Sequence, residues 1–232
     1  MIRKHLISAI LISCEDVISR ITSCDIFTLQ ETWLLPGEKI KLTGYESFKS
    51  NRNPTKKGVD GVLILYKNTY IKGISRQTSS NEKYVIWIKL DKTFFGLEND
   101  IFVAAGYRPP REGAIGTFYK KLERDISKFS LKGDIILVGD LNSRIGALDQ
   151  DINHIDIDKY DNLRTRSLDL SDVRTSEDEV VNKKGRELID VCNKNQLIIL
   201  NGRKLGDFEG KYTCHKYSGS SGLVIIVLWY LG

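Results

Sequence analysis

Three apolar runs of this sequence end in polar side chains that could bind a metal ion and a phosphate group. The side chains at these run ends are Glu31, Tyr107, Asp140 and Asn142. A carboxylate can hold a hard cation or accept a proton from water, and phenol and amide groups can hydrogen-bond a phosphate. Any one of them alone would more often cap or solvate a turn. Because ligands of α/β sheets gather at the carboxyl ends of strands, we expect the four side chains to border one cleft.

The elements that must position these side chains are short strands and a few helices. Six runs are rich in Ile, Val, Leu and aromatic residues and are bounded by Gly, Pro, Asn or Asp, which predicts strands. They are Asp25–Gln30, Gly61–Tyr66, Tyr84–Leu90, Ile101–Tyr107, Ile135–Asp140 and Leu197–Asn201. Apolar residues at a spacing of three or four predict helices. The helical segments are Ile7–Ile21, Thr117–Phe129 and Gly185–Asn193. Strands and helices interleave, so we expect one α/β (α+β) domain over residues 1–232.

The composition is that of a globular protein. The chain has 232 residues, of which 41% are hydrophobic and 28% are charged, and only four are proline. These values exclude a wholly disordered chain, a collagen-like chain and a long coiled coil. The four cysteines, which form no CxxC pair, are Cys14, Cys24, Cys192 and Cys214. This sparse set predicts reduced thiols and argues against a disulfide scaffold or a structural zinc site.

The charge is unevenly distributed along the chain. The formal net charge is +5, although the segment 149–179 carries ten carboxylates and only four basic side chains. This segment has few large apolar groups and no sustained period, so we interpret it as a polar acidic loop or a disordered insert. The basic remainder fits a polyanionic partner such as DNA. The alternative is that the mild basicity only favours solubility.

Neither a secretory leader nor a membrane span is indicated. The apolar run within 1–12 is followed by acidic residues and lacks a small-residue cleavage pattern. The longest uncharged apolar run, Leu223–Leu231, has nine residues, whereas a spanning helix needs about 20. We therefore expect an intracellular protein with no membrane partner.

Several segments, taken together and in order, resemble the endonuclease/exonuclease/phosphatase superfamily, which includes the abasic-site endonucleases. The likeness is greatest to the endonuclease domain of non-LTR retrotransposon polyproteins, and it covers roughly residues 15–221. The segments that carry it are Leu29-Gln30-Glu31-Thr32-Trp33, Tyr107-Arg108-Pro109-Pro110, Gly139-Asp140-Leu141-Asn142-Ser143-Arg144-Ile145-Gly146, Asn182-Lys183-Lys184-Gly185-Arg186-Glu187-Leu188, Asn201-Gly202-Arg203 and Gly210-Lys211-Tyr212-Thr213-Cys214.

The resemblance implies a four-layer α/β/β/α sandwich and Mg²⁺-dependent hydrolysis of DNA phosphodiester bonds, with Mn²⁺ as a possible substitute. Glu31 matches the metal-binding glutamate, and Asp140 matches the carboxylate that activates water. Asn142 matches the amide that holds the phosphate, and Tyr107 matches a tyrosine that contacts it. Thr213 matches a phosphate-side or DNA-contact position. No small-molecule cofactor is implied, and the resemblance does not identify protein partners. A DNA substrate implies a nuclear or cytoplasmic location.

Both ends of the sequence depart from the family pattern. The early Asn-x-Asn-Gly segment is missing, as are the late Asp-Tyr and Ser-Asp-His segments, and the three histidines lie elsewhere. We therefore expect the first and last strands to be lacking and the activity to be weak or absent. The atypical apolar tail 222–232 is consistent with a frameshift in the coding DNA or with a genuine hydrophobic final strand.

Other functions remain open. A sugar- or lipid-phosphate phosphatase would use the same fold. A non-catalytic nucleic-acid-binding remnant would keep the basic face without cleavage, and it would show salt-dependent binding to duplex DNA. The product of a pseudogene would have no selected function.

Overall fold

The computed structural model describes the backbone of residues 6–9, 22–34, 38, 40–50, 60–110, 115–148, 171, 173–203, 206–212, 215–216, 219–220 and 228–230. The strands are β1 (Leu6–Ala9), β2 (Ile26–Gln30), β3 (Tyr45–Lys49), β4 (Val62–Lys67), β5 (Ile74–Gln77), β6 (Val85–Leu90), β7 (Asp100–Tyr107), β8 (Gly133–Asp140), β9 (Ile198–Ile199), β10 (His215–Lys216), β11 (Gly219–Ser220) and β12 (Leu228–Tyr230). The helices are α1 (Lys92–Phe95), α2 (Ile115–Ser130) and α3 (Lys183–Lys194), and Asn68–Tyr70 form a 3-10 turn.

The strands form two larger sheets and a small hairpin. The first sheet has the order β1-β2-β4-β3 and the second has the order β5-β6-β7-β8-β12-β9, while β10 pairs with β11. Strands β7 and β8 are parallel neighbours, and their register places Tyr107 opposite Asp140 at the carboxyl ends. Two of the side chains selected from the sequence are therefore adjacent because of strand pairing alone.

The two sheets pack face to face around the main hydrophobic core. Phe102 of β7 stacks on Phe129 of α2, with ring centres 4.9 Å apart, so this face of the six-stranded sheet is covered by helix. Because side chains alternate along a strand, Val103 and Ala105 point to the opposite face. There they join the core cluster that also contains Ile64 of the four-stranded sheet.

The outer face of the four-stranded sheet carries a second hydrophobic cluster. Phe27 and Leu29 of β2 pack there with Leu63 and Leu65 of β4. Two sheets with helices on the outer face of one of them agree with the predicted mixed α/β class. The six strands predicted from the sequence are confirmed, as are the helices predicted over Thr117–Phe129 and Gly185–Asn193.

The prediction for the start of the chain is wrong where the structure describes it. We expected a helix over Ile7–Ile21 and no first strand, but Leu6–Ala9 form β1, which pairs parallel to β2. A short apolar run cannot be assigned to helix or strand by its period, and the neighbouring β2 edge decides the outcome. Residues 10–21 of the expected helix lie outside the described residues.

The apolar tail also contributes a strand. Leu228–Tyr230 form β12, which pairs antiparallel to both β8 and β9. Contrary to the expected loss of a final strand, this part of the tail is integrated into the six-stranded sheet, because an apolar, uncharged strand suits a position between two others. Residues 222–227 and 231–232 lie outside the described residues.

The acidic segment 149–179 is described only at residues 171 and 173–179, which form no helix or strand. Arg174 is buried, and its guanidinium donates to the carbonyls of Gly146 and Leu148. The backbone N–H groups of Thr175 and Glu177 donate to carbonyls of the segment 202–210. This end of the segment is therefore packed against the body of the protein.

Candidate active site

Glu31 lies immediately after β2, and its side chain does not point to the face of the sheet that the alternation of side chains along a strand predicts. Phe27 and Leu29 point to the outer cluster of their sheet, which would also be the side of residue 31. The backbone of Glu31 instead has a left-handed φ of 52°, which ends the strand. This conformation is costly for a residue with a side chain, and such strain concentrates at functional sites.

Tyr107 connects the two sheets at this point. Its ring is buried, and its hydroxyl donates a hydrogen bond to Oε1 of Glu31. Burial, followed by the hydrogen bond and the negative charge of Glu31, raises the pKa of the Tyr107 hydroxyl far above its usual range. Tyr107 therefore stays protonated at neutral pH and acts as a hydrogen-bond donor.

Asp140, at the end of β8, is a buried carboxylate with a perturbed affinity for protons. Its pKa is raised to about 6: burial, and to a lesser extent the charge of Glu31, raise it, while the backbone N–H of Asn142 and the charge of Lys184 partly oppose the rise. Oδ1 of Asp140 accepts a hydrogen bond of 2.9 Å from that N–H group. A carboxylate with a pKa close to neutrality is suited to accept a proton from water.

Asn142 occupies a second left-handed position, with a φ of 48°. Asparagine tolerates this conformation better than most residues because its short polar side chain can bond locally. Its Nδ2 donates to the backbone carbonyl of Arg108 at 2.8 Å, which holds the side-chain amide beside the ends of β7 and β8. The backbone carbonyl of Asn142 accepts from Nδ2 of Asn182 at 3.1 Å.

Arg108, which the sequence analysis did not select, ties the end of β7 to helix α3. It is fully buried, its Nη2 lies 3.2 Å from Oε2 of Glu187, and its guanidinium lies 4.5 Å from the ring centre of Tyr119. Its backbone N–H donates to the carbonyl of Asp140 at 2.9 Å. Arg108 thus supports the site from within the core.

The start of α3 supplies a positive charge to the site. Asn182 caps the helix by accepting from the N–H of Gly185 at 2.7 Å. Nζ of Lys184 donates to the carbonyls of Pro109 and Pro110, at 2.9 Å each, and lies close enough to Asp140 to lower the pKa of that carboxyl. The sequence contained a signal for this lysine, since the segment 182–188 is part of the family pattern.

The residues present fit a magnesium ion better than a metal that needs a complete protein cage. Across the part of the chain that the structure describes, no three His, Cys, Asp or Glu side chains gather around one point. The half-buried carboxylate of Glu31 is, however, a hard oxygen donor beside a second carboxylate, Asp140. Mg²⁺ is commonly held by one or two carboxylates together with phosphate oxygens. Glu31 is therefore the residue that would hold it.

The structure brings together four of the five side chains selected from the sequence. Glu31, Tyr107, Asp140 and Asn142 lie at the ends of β2, β7 and β8. Thr213 lies outside the described residues.

Comparisons with known proteins agree with this architecture. The model of the Endonuclease/Exonuclease/phosphatase family matches residues 4–167. A search of curated proteins found no similar sequence.

Among the described residues, no helix is both long enough and apolar enough to cross a membrane.

Several solved structures share the fold. The AP endonuclease LMAP from Leishmania major aligns with a TM-score of 0.63 and 13% identity over 92% of this chain and 72% of its own. The 3' phosphatase NExo from Neisseria, bound to a product DNA hairpin, aligns with a TM-score of 0.58 and 15% identity over 96% of this chain and 85% of its own. An AP endonuclease from Archaeoglobus fulgidus aligns with a TM-score of 0.51 and 17% identity over 92% of this chain and 79% of its own. At identities this low, the structural similarity shows a common fold and nothing more.

Proposed function

Since the chain belongs to the endonuclease/exonuclease/phosphatase family, we propose that it is a Mg²⁺-dependent phosphodiesterase that cuts DNA by attack of water. The observation that carries this proposal is the buried Asp140, whose pKa is raised to about 6, beside the Tyr107–Glu31 hydrogen bond. A candidate proton acceptor and a candidate cation ligand are therefore neighbours at the strand ends. Metal-assisted hydrolysis of a phosphodiester uses a cation that polarises the phosphate and a group that accepts the proton of the attacking water.

In the proposed reaction, the protonation state of each residue determines its role. Asp140 is mostly ionised at neutral pH and takes the proton from the attacking water. Tyr107 remains neutral and donates a hydrogen bond, first to Glu31 and then to a phosphate oxygen. One hydrogen of the Asn142 amide is held by the carbonyl of Arg108, which leaves the other for the phosphate. A Mg²⁺ ion at Glu31 would neutralise charge on the phosphate and on the leaving oxygen.

A relation to the endonuclease domains of retrotransposons is the finer part of the proposal. It is supported by the order of the segments 29–33, 107–110, 139–146, 182–188, 201–203 and 210–214. The net charge of +5 supports a polyanionic substrate. The proposal places the protein in the nucleus or the cytoplasm. The expectation that activity is weak or absent stays a prediction.

The test is nicking of supercoiled plasmid with enzyme in excess, in Mg²⁺, in Mn²⁺ and in EDTA. We expect slow nicking that requires the cation and is lost in Glu31→Gln and Asp140→Asn, while Asp190→Asn, an exposed change on α3, cleaves like the wild type. Nicking that persists in both site variants would refute the proposed site. No nicking in either cation would overturn the hydrolase proposal and favour a non-catalytic DNA-binding protein.

A phosphatase is the second candidate, because one of the structures that share the fold is a 3' phosphatase. The same preparation is therefore offered an intact duplex, a duplex with an abasic site, an oligonucleotide with a 3' phosphate and an inositol phosphate. Release of phosphate without strand cleavage would favour the phosphatase. Cleavage of the intact duplex would favour the endonuclease.

A further inference from the structure

Trp33 is an exposed aromatic side chain next to the proposed catalytic site. It lies two residues after Glu31, and 62% of its surface is exposed, whereas Trp87 is fully buried in the core. A single exposed apolar side chain is ordinary on a protein surface, so its exposure alone does not mark a site. The place of Trp33 beside Glu31, together with an indole that combines an apolar ring with a polar N–H, makes it a candidate ligand contact.

The turn that carries Trp33 is held in place by its neighbours. The backbone of Trp33 is left-handed, with a φ of 52°, and its N–H donates to the carbonyl of Asp60 at 3.0 Å. Gly61 packs so closely that an added Cβ would lie 2.5 Å from Oγ1 of Thr32. A tryptophan in a left-handed conformation is uncommon and costs free energy, so its persistence is a reason to look for a function.

The backbone of Trp33 is close enough to Glu31 for the indole to reach a neighbouring nucleotide. Two residues span at most about 7 Å, so the backbone of Trp33 lies close to that of Glu31. Successive bases of a stacked strand are separated by about 3.4 Å. A strand whose phosphate lies at Glu31 therefore has its adjacent bases within reach of the indole.

We propose that Trp33 is a stacking surface for the base of a nucleotide that flanks the phosphate bound at Glu31 and Asp140. Stacking of one base on an aromatic side chain raises affinity by about 5- to 100-fold and tolerates any base, because every base has a π-face. The proposal rests on the proposed function, since it assumes a nucleic-acid strand at this site.

The experiment compares two ligands that differ only in their bases. Dissociation constants are measured in EDTA, by fluorescence anisotropy, for an oligothymidylate and for an abasic deoxyribose-phosphate oligomer of the same length. The variants are Trp33→Ala, Trp33→Phe and Trp33→Asn, the last because asparagine tolerates the left-handed turn without supplying a ring. Phe94→Ala, which removes a 43% exposed aromatic at the far end of the six-stranded sheet, is the control.

We expect the wild type to bind the oligothymidylate about tenfold more tightly than the abasic oligomer. Trp33→Ala and Trp33→Asn should remove this difference without weakening abasic binding, while Trp33→Phe retains much of it and Phe94→Ala retains all of it. A blunt duplex of the same length shows whether the contacted base is unpaired or belongs to a terminal pair.

Two results would overturn the inference. If the wild type binds both oligomers equally and the Trp33 variants bind as it does, stacking is wrong while the proposed hydrolysis stands. If the wild type binds neither oligomer, in EDTA or with Mg²⁺ present, the nucleic-acid substrate of the proposed function fails as well. Because no cleavage is needed, a catalytically weak protein does not obscure the answer.

Discussion

The hydroxyl of Tyr107 donates a hydrogen bond to the carboxylate of Glu31, and this bond joins the end of β7 in one sheet to the end of β2 in the other. The two residues are 76 positions apart in sequence. The bond depends on the left-handed backbone at Glu31, which turns the carboxylate away from the outer face of its own sheet. The geometry of the candidate site therefore requires both sheets to be packed together.

Tyr107→Phe should lower the rate of cleavage about 10- to 1,000-fold, as is common when one preorganised donor is removed from an active site. The reason is that phenylalanine keeps the buried ring but cannot orient Glu31. The measurement is single-turnover plasmid nicking with the free energy of unfolding determined alongside. Tyr119→Phe is the control, because it removes a buried hydroxyl that bonds Ser143 at 2.6 Å instead of a site carboxylate. Equal losses in both variants would contradict a specific role for Tyr107.

The pH dependence of cleavage should have an ascending limb at or below pH 6. Asp140, whose pKa is raised to about 6 by burial and by the charge of Glu31, must be ionised to accept a proton. A bound cation would move this limb to lower pH, because positive charge favours the carboxylate. The measurement is kcat/KM between pH 4.5 and 8.5. A profile that does not change over this range would argue against Asp140 as the base.

Lys184→Gln should shift that limb to higher pH. The positive charge of Lys184 lowers the pKa of Asp140, so its removal makes the carboxyl harder to ionise. Glutamine can still donate to the carbonyls of Pro109 and Pro110, which Lys184 now contacts at 2.9 Å. The neighbouring Lys183→Gln is the matched control. A uniform loss of rate at every pH would show that Lys184 acts in some other way.

Asp140→Asn should stabilise the metal-free protein at neutral pH. The folded-state pKa of about 6 exceeds the ordinary value of 3.8, so folding disfavours the charged carboxylate. The wild type therefore loses stability as the pH rises through 6, and the variant should be more stable at pH 7 by up to about 3 kcal/mol. The difference should vanish below about pH 4. Urea unfolding in EDTA at several pH values measures it.

Replacement of a second carboxylate, Asp178, should change the free energy of unfolding in the opposite direction in the same experiment. Burial acts to raise the pKa of Asp178, but its hydrogen bonds, chiefly that from Arg144, lower it overall. Asp178→Asn should therefore destabilise the protein at neutral pH, with a difference that shrinks as the pH falls through the lowered pKa. If both variants changed stability in the same direction at pH 7, the assignment of Asp140 as a disfavoured charge would be wrong.

Gly139→Ala should destabilise the protein severely, because it affects the strand pairing that forms the site. Gly139 has a φ of 136°, and an added Cβ would overlap the carbonyl oxygen of Gly106 on the adjacent strand. Gly44→Ala is the control, since Gly44 has a φ of 84° but open space around it. We expect about 1–2 kcal/mol from the backbone conformation alone at Gly44 and a clearly larger loss at Gly139. Equal losses measured by urea unfolding would contradict the overlap.

Much of the architecture could be predicted from local sequence patterns. Apolar runs bounded by turn residues predicted the six strands, and the spacing of Phe118, Leu122, Ile126 and Phe129 predicted helix α2. Both patterns arise because the residues on the buried face of a strand or helix are apolar and recur at a fixed spacing along the sequence. The short β1 was misinterpreted as helix because the pairing partner of an isolated apolar run lies elsewhere in the sequence.

The sequence by itself determined which chemical groups follow each strand: the carboxylates of Glu31 and Asp140, the phenol of Tyr107 and the amide of Asn142. The tertiary structure alone decided how they meet. The left-handed turn at Glu31, the register of β7 and β8, and the approach of Lys184 to Asp140 depend on contacts between distant segments. The tertiary structure also decides the protonation state of Asp140, because its pKa is raised chiefly by burial, which exists only once the chain has folded.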